Sequence, residues 1–376
     1  MKFNLYFRSR QNEMVRFLKE TVGRESPTRD KKAVDTCSAF VVEEFRKLGS
    51  RVQRFPQKEI GDLYVIEYPR PTSRSPEEQT LILTHIDTVW PVGKIVKMPF
   101  YISGEKIFGP GVLDMKAGLV MALFALKALR ELNLKPAKRI ALFINSAEET
   151  GDEAAHDMIR KLARASDAIL CLEPALPGGA LKTERKGRLV MKLDVKGRAA
   201  HAGNPEKGVN AIEELMGQLV RLKKLRTAGV TTSVDQIGGG EKANIVAEAA
   251  WAVVDIRFWN SLQEEKIRKF FRGMVADRPG AKIKTSVESS IPPMEKTRTS
   301  AAFLARASEL AAGLGMKLTE GKAGGGSDAS IASRLGVPTL DGLGPDGDGI
   351  HAEDEHLLLP SLVERTALLT EILLRL

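Results

Sequence analysis

Acidic residues and histidines follow three apolar stretches of the sequence, in an arrangement that can hold metal ions. The stretches end, in turn, in His85 and Asp87, in Glu148 and Glu149, and in Glu173. In open α/β sheets, binding sites form outside the carboxyl ends of the strands, so we expect these side chains to share one edge of a sheet. Carboxylates are almost never left inside a protein unless they are paired or bound to a cation. The pattern predicts a metal site there.

Two more candidate ligands stand in glycine-rich segments. Asp114 lies in the stretch Gly109–Gly118, which is predicted to turn into a helix that Asp114 opens, and His351 lies in a loop rich in glycine and aspartate. Histidine, aspartate and glutamate are the ligands that zinc takes from proteins, together with cysteine. His356, at the end of the same loop, is predicted to be a plain surface residue.

Each of these residues also has an ordinary structural interpretation. A lone histidine is usually a structural or surface group, and Asp114 can serve as a helix cap. Glu148 and Glu149 can form the acidic first turn of the following helix, where the helix dipole favours negative charge. Only the combination points to chemistry. Asp87 stands two residues after His85, so on a strand both side chains point the same way and Asp87 can orient the imidazole.

The elements that must position these residues follow from hydrophobic patterning. Near-continuous apolar runs such as Thr80–His85, alternating with helical segments, predict an α/β fold in which helices cover a mixed sheet. Residues 71–78 are predicted to form a polar turn. From about residue 178 the strands alternate in character and enclose two helices, which favours a smaller, two-layer α+β module. We therefore predict a catalytic domain from residues 1–177 and 288–376, with residues 178–287 inserted as a second domain.

Composition narrows the classes of partner. The net charge is +9, from 57 basic and 48 acidic residues, but the basic residues are dispersed and aromatic residues make up only 6%. A nucleic-acid protein would concentrate its basic residues in a stripe, so we expect no nucleic acid as a ligand and favour small anionic substrates. No apolar run approaches the length of a membrane span, and the N-terminus lacks the features of a signal peptide. With only two cysteines, the sequence predicts a cytoplasmic protein.

The motifs together resemble a known family, the di-zinc exopeptidases that include carboxypeptidase G, aminoacylase, acetylornithine deacetylase and succinyl-diaminopimelate desuccinylase. The stretches that carry the resemblance span most of the chain: Thr84–Asp87, Gly109–Lys116, Ser146–Gly151, Leu172–Pro174, Lys196–Gly203 and Gly324–Ala329. The form of Gly109–Lys116 and the segment Leu340–Gly344 are most similar to the glutamate carboxypeptidase branch. Ala117 stands where many relatives have glycine, and it is still a small residue.

The resemblance implies a role for each candidate. Asp114 bridges two metal ions, His85 and Glu173 complete one metal site, and Glu149 and His351 complete the other. Asp87 lies behind His85, Glu148 transfers protons, and a cis peptide bond follows Asp114. The metals are expected to be two zinc ions, although these ligands also accept cobalt or manganese.

For the insertion, the resemblance implies that His201 stabilises the oxyanion of the reaction, in its own subunit or in a partner's. Asn244 and Arg257 resemble positions that hold the substrate. Outside the insertion, Gly325, Gly326 and Ser327 precede a predicted helix, where backbone N–H groups can bind a carboxylate. The structural alternatives are a loop histidine, a surface ion pair for Arg257, and a helix cap for Ser327. The insertion is expected to act as a lid and to pair two copies in a homodimer.

The predicted activity is metal-dependent hydrolysis of an amide bond next to a free carboxylate, as in a carboxypeptidase acting on a small molecule or peptide. The alternative enzyme is a deacylase of N-acyl amino acids or acyl diamines. The alternative outside enzymology is a metal-free dimeric scaffold that binds small molecules; such a scaffold would be expected to have lost ligands, and all candidates are present here.

Overall fold

The computed structural model describes residues 2–69 and 75–376, with all their side chains except those of Lys2 and Pro76. The helices are α1 (Lys2–Val22), α2 (Lys31–Lys47), α3 (Lys94–Lys97), α4 (Ala117–Glu131), α5 (Glu153–Arg164), α6 (Ala211–Arg221), α7 (Ser261–Arg272), α8 (Arg298–Gly313), α9 (Asp328–Ser333) and α10 (Leu359–Arg375). The strands are β1 (Arg51–Phe55), β2 (Leu63–Glu67), β3 (Ser75–His85), β4 (Tyr101–Ser103), β5 (Lys106–Phe108), β6 (Lys138–Asn145), β7 (Ala168–Cys171), β8 (Leu181–Arg185), β9 (Gly187–Lys196), β10 (Thr231–Gly239), β11 (Ala249–Phe258), β12 (Lys282–Ile291), β13 (Glu320–Ala323), β14 (Thr339–Leu340), β15 (Gly347–Asp348) and β16 (His356–Leu358).

A six-stranded mixed sheet, in the order β1-β2-β6-β3-β7-β14, forms the centre of the first unit. Strand β3 runs parallel to both β6 and β7, and β7 runs parallel to β14. Strands β1 and β2 extend the sheet in antiparallel register. The parallel strands carry buried apolar segments, such as Leu81–Leu83 in β3 and Ile140–Ile144 in β6, because helices cover the sheet, as the continuous runs in the sequence predict. Their carboxyl ends lie at one edge, where β3 ends at His85 and β6 ends at Asn145.

Helix α4 is buried along nearly its whole length and packs against α10 and α1. Its small and apolar side chains suit a helix enclosed by protein rather than one with a solvent face. The turn before it differs from our prediction. Asp114 does not open the helix, because Asp114 and Met115 have non-helical backbone angles and α4 begins only at Ala117. The peptide bond between Asp114 and Met115 is cis, as the family resemblance implied.

Two smaller predictions can also be compared with the structure. Residues 71–74 of the predicted polar turn lie outside the described residues, and its second half is wrong because β3 already begins at Ser75. His356 is not a surface residue: it is 8% exposed, lies in β16, and packs its ring against Phe108. The loop composition around it concealed that the chain re-enters a small sheet at that point.

A second unit consists of residues Glu184–Glu295 with Ala323–Gly326. Its four strands are all antiparallel, in the order β10-β11-β9-β12. Helices α6 and α7 contribute Leu215 and Phe271 to a core shared with the alternating inward residues of β9 and β11. This is the two-layer α+β arrangement that the sequence predicts. The first unit comprises the chain up to Thr183, Lys296–Lys322 and Ser327–Leu376.

The borders of the units fall inside β8 and just after β12, rather than at residues 178 and 287. Strand β8 carries the chain out of the first unit, so no loop marks the border in the sequence. Among the residues that the structure describes, no helix has both the length and the apolar character needed to cross a bilayer.

Candidate metal centre

His85, at the end of β3, is 1% exposed and lies at the centre of a group of carboxylates. Its Nε2 atom lies 3.2 Å from Oδ1 of Asp114 and 3.5 Å from Oε1 of Glu173. On the opposite side of the ring, Nδ1 lies 3.1 Å from the carbonyl oxygen of Asp87. The ring is therefore held from behind, and Nε2 is left facing the carboxylates. That is the orientation that a metal-binding imidazole needs.

His351 approaches the same carboxylates from the other side. Its Nε2 atom lies 3.1 Å from Oε2 of Glu149 and 3.5 Å from Oδ2 of Asp114. Its backbone φ is 62°, a left-handed conformation uncommon for a residue with a side chain. Residues held in this region cluster at functional sites. The two oxygens of Asp114 thus face two different histidines, as a carboxylate shared between two ions would.

Asp87 organises the backbone rather than joining the ligand group. Its carboxylate accepts a hydrogen bond from the Thr28 hydroxyl at 2.7 Å. It also accepts the backbone N–H groups of Glu148 and Glu149, each at 3.2 Å. Because Asp87 is completely buried, these bonds fix the turn that carries both glutamates. Asp87 therefore links the end of β3 to the turn after β6.

The charges of the site perturb one another strongly. Burial alone would raise the pKa of Asp114, but hydrogen bonds with His351 and His85 outweigh it and hold that pKa well below its usual range. The same contacts, with Asp114 and Glu149, raise the pKa of His351 to about 10. Burial would lower the pKa of His85, yet Asp114, Asp87 and Glu173 raise it well above its usual value. Both histidines therefore carry protons at neutral pH when no metal is bound.

The pKa values of Glu148 and Glu149 shift in the opposite direction from the pKa of Asp114. Burial, followed by the negative charge of Glu173, raises the pKa of Glu148 well above its usual value. Burial also raises the pKa of Glu149, to about 7, although the hydrogen bond with His351 opposes the shift. Strongly perturbed carboxyl groups of this kind cluster at functional sites.

Comparison with known proteins assigns the family. Residues 81–375 match the model of peptidase family M20/M25/M40. The chain belongs to this family. The resemblance read from the sequence motifs is thereby confirmed, and the chain is an M20 hydrolase of the metallopeptidase and amidohydrolase type.

Individual relatives align with nearly the whole length of this chain. Carboxypeptidase G2 of Pseudomonas sp. (strain RS-16) is 26% identical over 377 residues, which cover 96% of this chain and 89% of the relative. Succinyl-diaminopimelate desuccinylase of Maricaulis maris is 29% identical over 373 residues, covering 92% and 90%. A crystal structure of a tripeptidase from Staphylococcus aureus superposes with a TM-score of 0.79 at 23% identity, over 96% of this chain and 97% of that one. The fold is that of the M20 peptidases.

The ligand set of this M20 chain suits divalent metal ions. M20 proteins generally bind a dinuclear metal centre, and two groups here have ligand atoms within 4.8 Å of one another: His85 with Glu148 and Glu173, and His85 with Asp114 and Glu149. Oε1 of Glu149 is buried and accepts no hydrogen bond from any residue that the structure describes. A buried carboxylate oxygen without a donor is costly, and a cation would satisfy it. The residues therefore fit the metals that the family binds.

Glu148 also lies in one of these groups, so distance alone leaves it either a ligand or a base. Three further residues of the site escaped the sequence analysis. Nζ of Lys182 lies 3.7 Å from Oε2 of Glu173, although Lys182 is only 6% exposed. Asp328 accepts a hydrogen bond from Asn145 at 2.8 Å, and burial raises its pKa to about 7. Glu355 is buried beside the turn of Asp114. Only Asp328 stood in a recognised motif.

The residues predicted in the insertion, His201, Asn244 and Arg257, all lie in the second unit. His201 is exposed, and its backbone forms an isolated β-bridge with Ile245, beside which the Ala202 N–H donates to the Asn244 carbonyl at 2.9 Å. Arg257 lies on β11 and donates to Asp255 at 2.7 Å, which is the surface ion pair that we weighed as its alternative. His201 and Asn244 are thus brought together, whereas Arg257 is engaged by its own strand.

The glycine-rich segment divides between the units. The carbonyl groups of Gly325 and Gly326 accept hydrogen bonds from Arg185, at 3.2 and 3.1 Å. Ser327 caps α9 by accepting the N–H of Ala329, and its hydroxyl donates to Asp341 at 3.2 Å. Ser327 therefore caps a helix, as its structural alternative states. Its role in substrate binding stays a prediction.

Proposed function

We propose that this chain hydrolyses an amide bond next to a free carboxylate, as a glutamate-carboxypeptidase-like enzyme with two zinc ions. The observation that carries the proposal is the pair of histidines, His85 and His351, facing opposite oxygens of Asp114 with Glu173 and Glu149 beside them. His85, Asp114 and Glu173 would hold one ion, and His351, Asp114 and Glu149 the other. Cobalt or manganese would fit the same ligands.

Glu148 supplies the proton transfer. Paired divalent ions, when bound, polarise a carbonyl group and make water acidic near neutral pH. Glu148 stands next to a proposed ligand in the chain, and burial with the charge of Glu173 raises its pKa, which makes it a stronger base than an ordinary carboxylate. It takes a proton from the attacking water and passes it to the nitrogen of the leaving amine. Asp87 keeps Glu148 in place through the backbone N–H.

Lys182 supports a substrate with a free carboxylate. Its ammonium group is buried beside Glu173, at the edge of the ligand group. A cation so placed is available to pair with a substrate anion, and hydrogen bonds between charged groups are the strong ones. The positive net charge of the chain also favours anionic substrates.

In the second unit, we propose that His201 stabilises the oxyanion, in its own subunit or in a partner's, and that Asn244 and Arg257 hold the substrate. Support comes from the pairing of the His201 and Asn244 segments. Gly325, Gly326 and Ser327 are proposed to add backbone donors for the carboxylate. A His201→Ala variant that retains full kcat would remove this role.

The deacylase alternative has a specific basis, since a desuccinylase is 29% identical over nearly the whole chain. A desuccinylase and a carboxypeptidase both cleave amides, so the substrate separates them. Turnover of N-acyl amino acids or acyl diamines, with peptides left intact, would favour the alternative. A purified protein without stoichiometric metal and without turnover would favour the scaffold.

The test is a panel of N-acyl amino acids and dipeptides, each offered as the free acid and as the matching C-terminal carboxamide. We expect metal-dependent release of amino acid from the free acids. In Lys182→Met, kcat/KM for free acids should fall about 10- to 100-fold, because a charged hydrogen bond is lost. Turnover of the carboxamides should change little.

Metal content is measured in parallel, because Lys182 lies beside a proposed ligand. An equal loss for free acids and carboxamides in a fully loaded variant would remove Lys182 from carboxylate recognition. Arg257→Met in the same panel tests the second candidate cation.

We further propose a cytoplasmic homodimer, with copies joined through the second unit. Strand β10 is an edge strand whose Val234 and Ile237 are 43% and 57% exposed. Exposed apolar edge strands pair readily with another chain. Light scattering should give twice the mass of one chain, and Ile237→Lys should shift the protein toward monomer. Val275→Lys, at another exposed apolar site of the same unit but outside β10, is the control, and a wild-type monomer would refute the pairing.

A further inference from the structure

Glu355 is a buried carboxylate that the proposed chemistry does not use. It is 1% exposed and lies four residues after His351. Its Oε2 accepts the indole N–H of Trp90 at 2.9 Å and the backbone N–H of Gly111 at 2.9 Å. Its Oε1 accepts the backbone N–H groups of Leu113, at 2.9 Å, and Asp114, at 3.1 Å. Each oxygen therefore receives two hydrogen bonds.

These four bonds exclude a role as a metal ligand. A carboxylate offers about four lone-pair sites, and all four are directed at N–H donors of the protein. The groups of potential ligands around His85 do not include Glu355 either, within the described part of the chain. Its function must therefore act through the residues that it holds.

Those residues belong to three loops, and each loop carries a part of the proposed metal centre. Trp90 lies in the loop that follows His85 and Asp87. Gly111 and Leu113 belong to the turn that presents Asp114. Glu355 itself closes the loop of His351, where its own N–H donates to the carbonyl of Ala352. One carboxylate thus joins the loops of both histidines to the turn of the shared aspartate.

The turn of Asp114 needs such a partner because it is not a regular helix. The residues before the turn are not helical, since strand β5 ends at Phe108, so the N–H groups of Gly111, Leu113 and Asp114 lack the acceptors that a preceding helical turn would supply. Buried N–H groups without partners are costly, and Glu355 satisfies three of them at once. Because Glu355 accepts these hydrogen bonds, it also fixes the position of the turn.

We propose that Glu355 is the positioning residue of the metal centre: it fixes the turn of Asp114 relative to the loops of His85 and His351, so that both oxygens of Asp114 face a metal site. This inference rests on the proposed metal-dependent function. It predicts that Glu355 governs metal affinity and ligand geometry although it contacts neither metal nor substrate.

The test is Glu355→Gln. A glutamine places an NH₂ group where one carboxylate oxygen accepted two donors, so two of the four N–H groups lose their acceptor at nearly unchanged volume: those of Leu113 and Asp114, or those of Gly111 and Trp90. Zinc affinity, measured by competition with a chelator, should fall about 10- to 100-fold, as for other residues that support metal ligands. The visible spectrum of the cobalt-loaded variant should also differ from that of the wild type, because the ligand geometry changes. Trp90→Phe removes one donor of the four and should have a smaller effect in the same direction.

Glu214→Gln is the matched control. Glu214 is 2% exposed and accepts the backbone N–H groups of Asp277 and Arg278 together with the Gln218 amide, but it lies in the core of the second unit. Both variants should lower the thermal stability of the metal-free protein. Only Glu355→Gln should weaken zinc binding and alter the cobalt spectrum.

Two outcomes separate the possible failures. If Glu355→Gln is destabilised like Glu214→Gln but keeps wild-type zinc affinity and the wild-type cobalt spectrum, the positioning role is wrong while the proposed function stands. If the wild-type protein itself binds neither zinc nor cobalt stoichiometrically, the proposed function fails first.

Discussion

Glu148→Gln is expected to lower kcat by about 10²- to 10⁴-fold while KM stays within a few-fold of the wild-type value. Proton transfer by a positioned side chain contributes a factor of this size, and glutamine has the shape of glutamate but cannot accept the proton. The pKa of Glu148 is raised by burial and by the charge of Glu173, so the group is a stronger base than an ordinary carboxylate. Substrate binding does not require proton transfer.

The measurement must include metal content, because Glu148 also lies close enough to His85 and Glu173 to be a ligand. We expect Glu148→Gln to retain both ions by elemental analysis. Glu153→Gln is the control, since Glu153 stands five residues later with a side chain that is 73% exposed. Loss of one ion in Glu148→Gln would make Glu148 a ligand and move the role of base elsewhere. Full turnover with both ions present would refute the mechanism.

The sequence predicts the acidic edge of the sheet because strand burial and strand ends have a local signature. Apolar runs on β3, β6 and β7 are long enough to show burial on both faces, and polar residues at their ends are therefore conspicuous. Parallel pairing of β3 with both neighbours then brings those ends together. His85 and Glu149 can be identified as candidate ligands from this rule alone, without knowledge of contacts between distant parts of the chain.

Glu355 and Lys182 could not be found in the same way. Glu355 bonds to Gly111, which lies 244 residues earlier in the chain, and no periodic pattern connects the two segments. Lys182 lies in a short strand, β8, whose charged residues resemble those of a solvated strand, although four of its five residues, all but Glu184, are buried. The significance of both side chains depends on the loops that surround them, and loop packing leaves no spacing rule in the sequence.

At the turn of Asp114, the sequence motif indicates the candidate ligand but predicts the backbone conformation wrongly. The glycine-rich stretch correctly indicates a functional carboxylate, but glycine followed by apolar residues also predicts a helix start, and that expectation placed Asp114 in regular structure. The actual turn is irregular and depends on Glu355 for its hydrogen bonds. Local propensity thus fails at the site itself, where tertiary contacts decide the backbone.

Metal affinity is expected to rise steeply with pH between about pH 6 and pH 8. His85 and His351 both have pKa values raised by the carboxylates around them, that of His351 to about 10, so each is protonated at neutral pH in the metal-free protein. A metal ion requires the neutral imidazole, and binding must therefore release a proton from each histidine. Each proton released makes the affinity rise about tenfold per pH unit, up to the pKa of the group that loses it.

With one histidine in each metal site, loading both ions should release about two protons from the histidines at pH 7. Glu149, with a pKa of about 7, is about half protonated there, so it adds about half a proton at pH 7 and more at lower pH. Zinc titrations in buffers of different ionisation enthalpy measure the number directly. His351→Gln should release about one proton fewer, because that nitrogen no longer exchanges a proton for a metal. His156→Gln is the control: burial lowers the pKa of His156, so it is already neutral at pH 7 and its removal should leave the count unchanged. A wild-type affinity that is flat across this pH range would mean that the histidines do not bind the metals, and the ligand set built around Asp114 would fall with it.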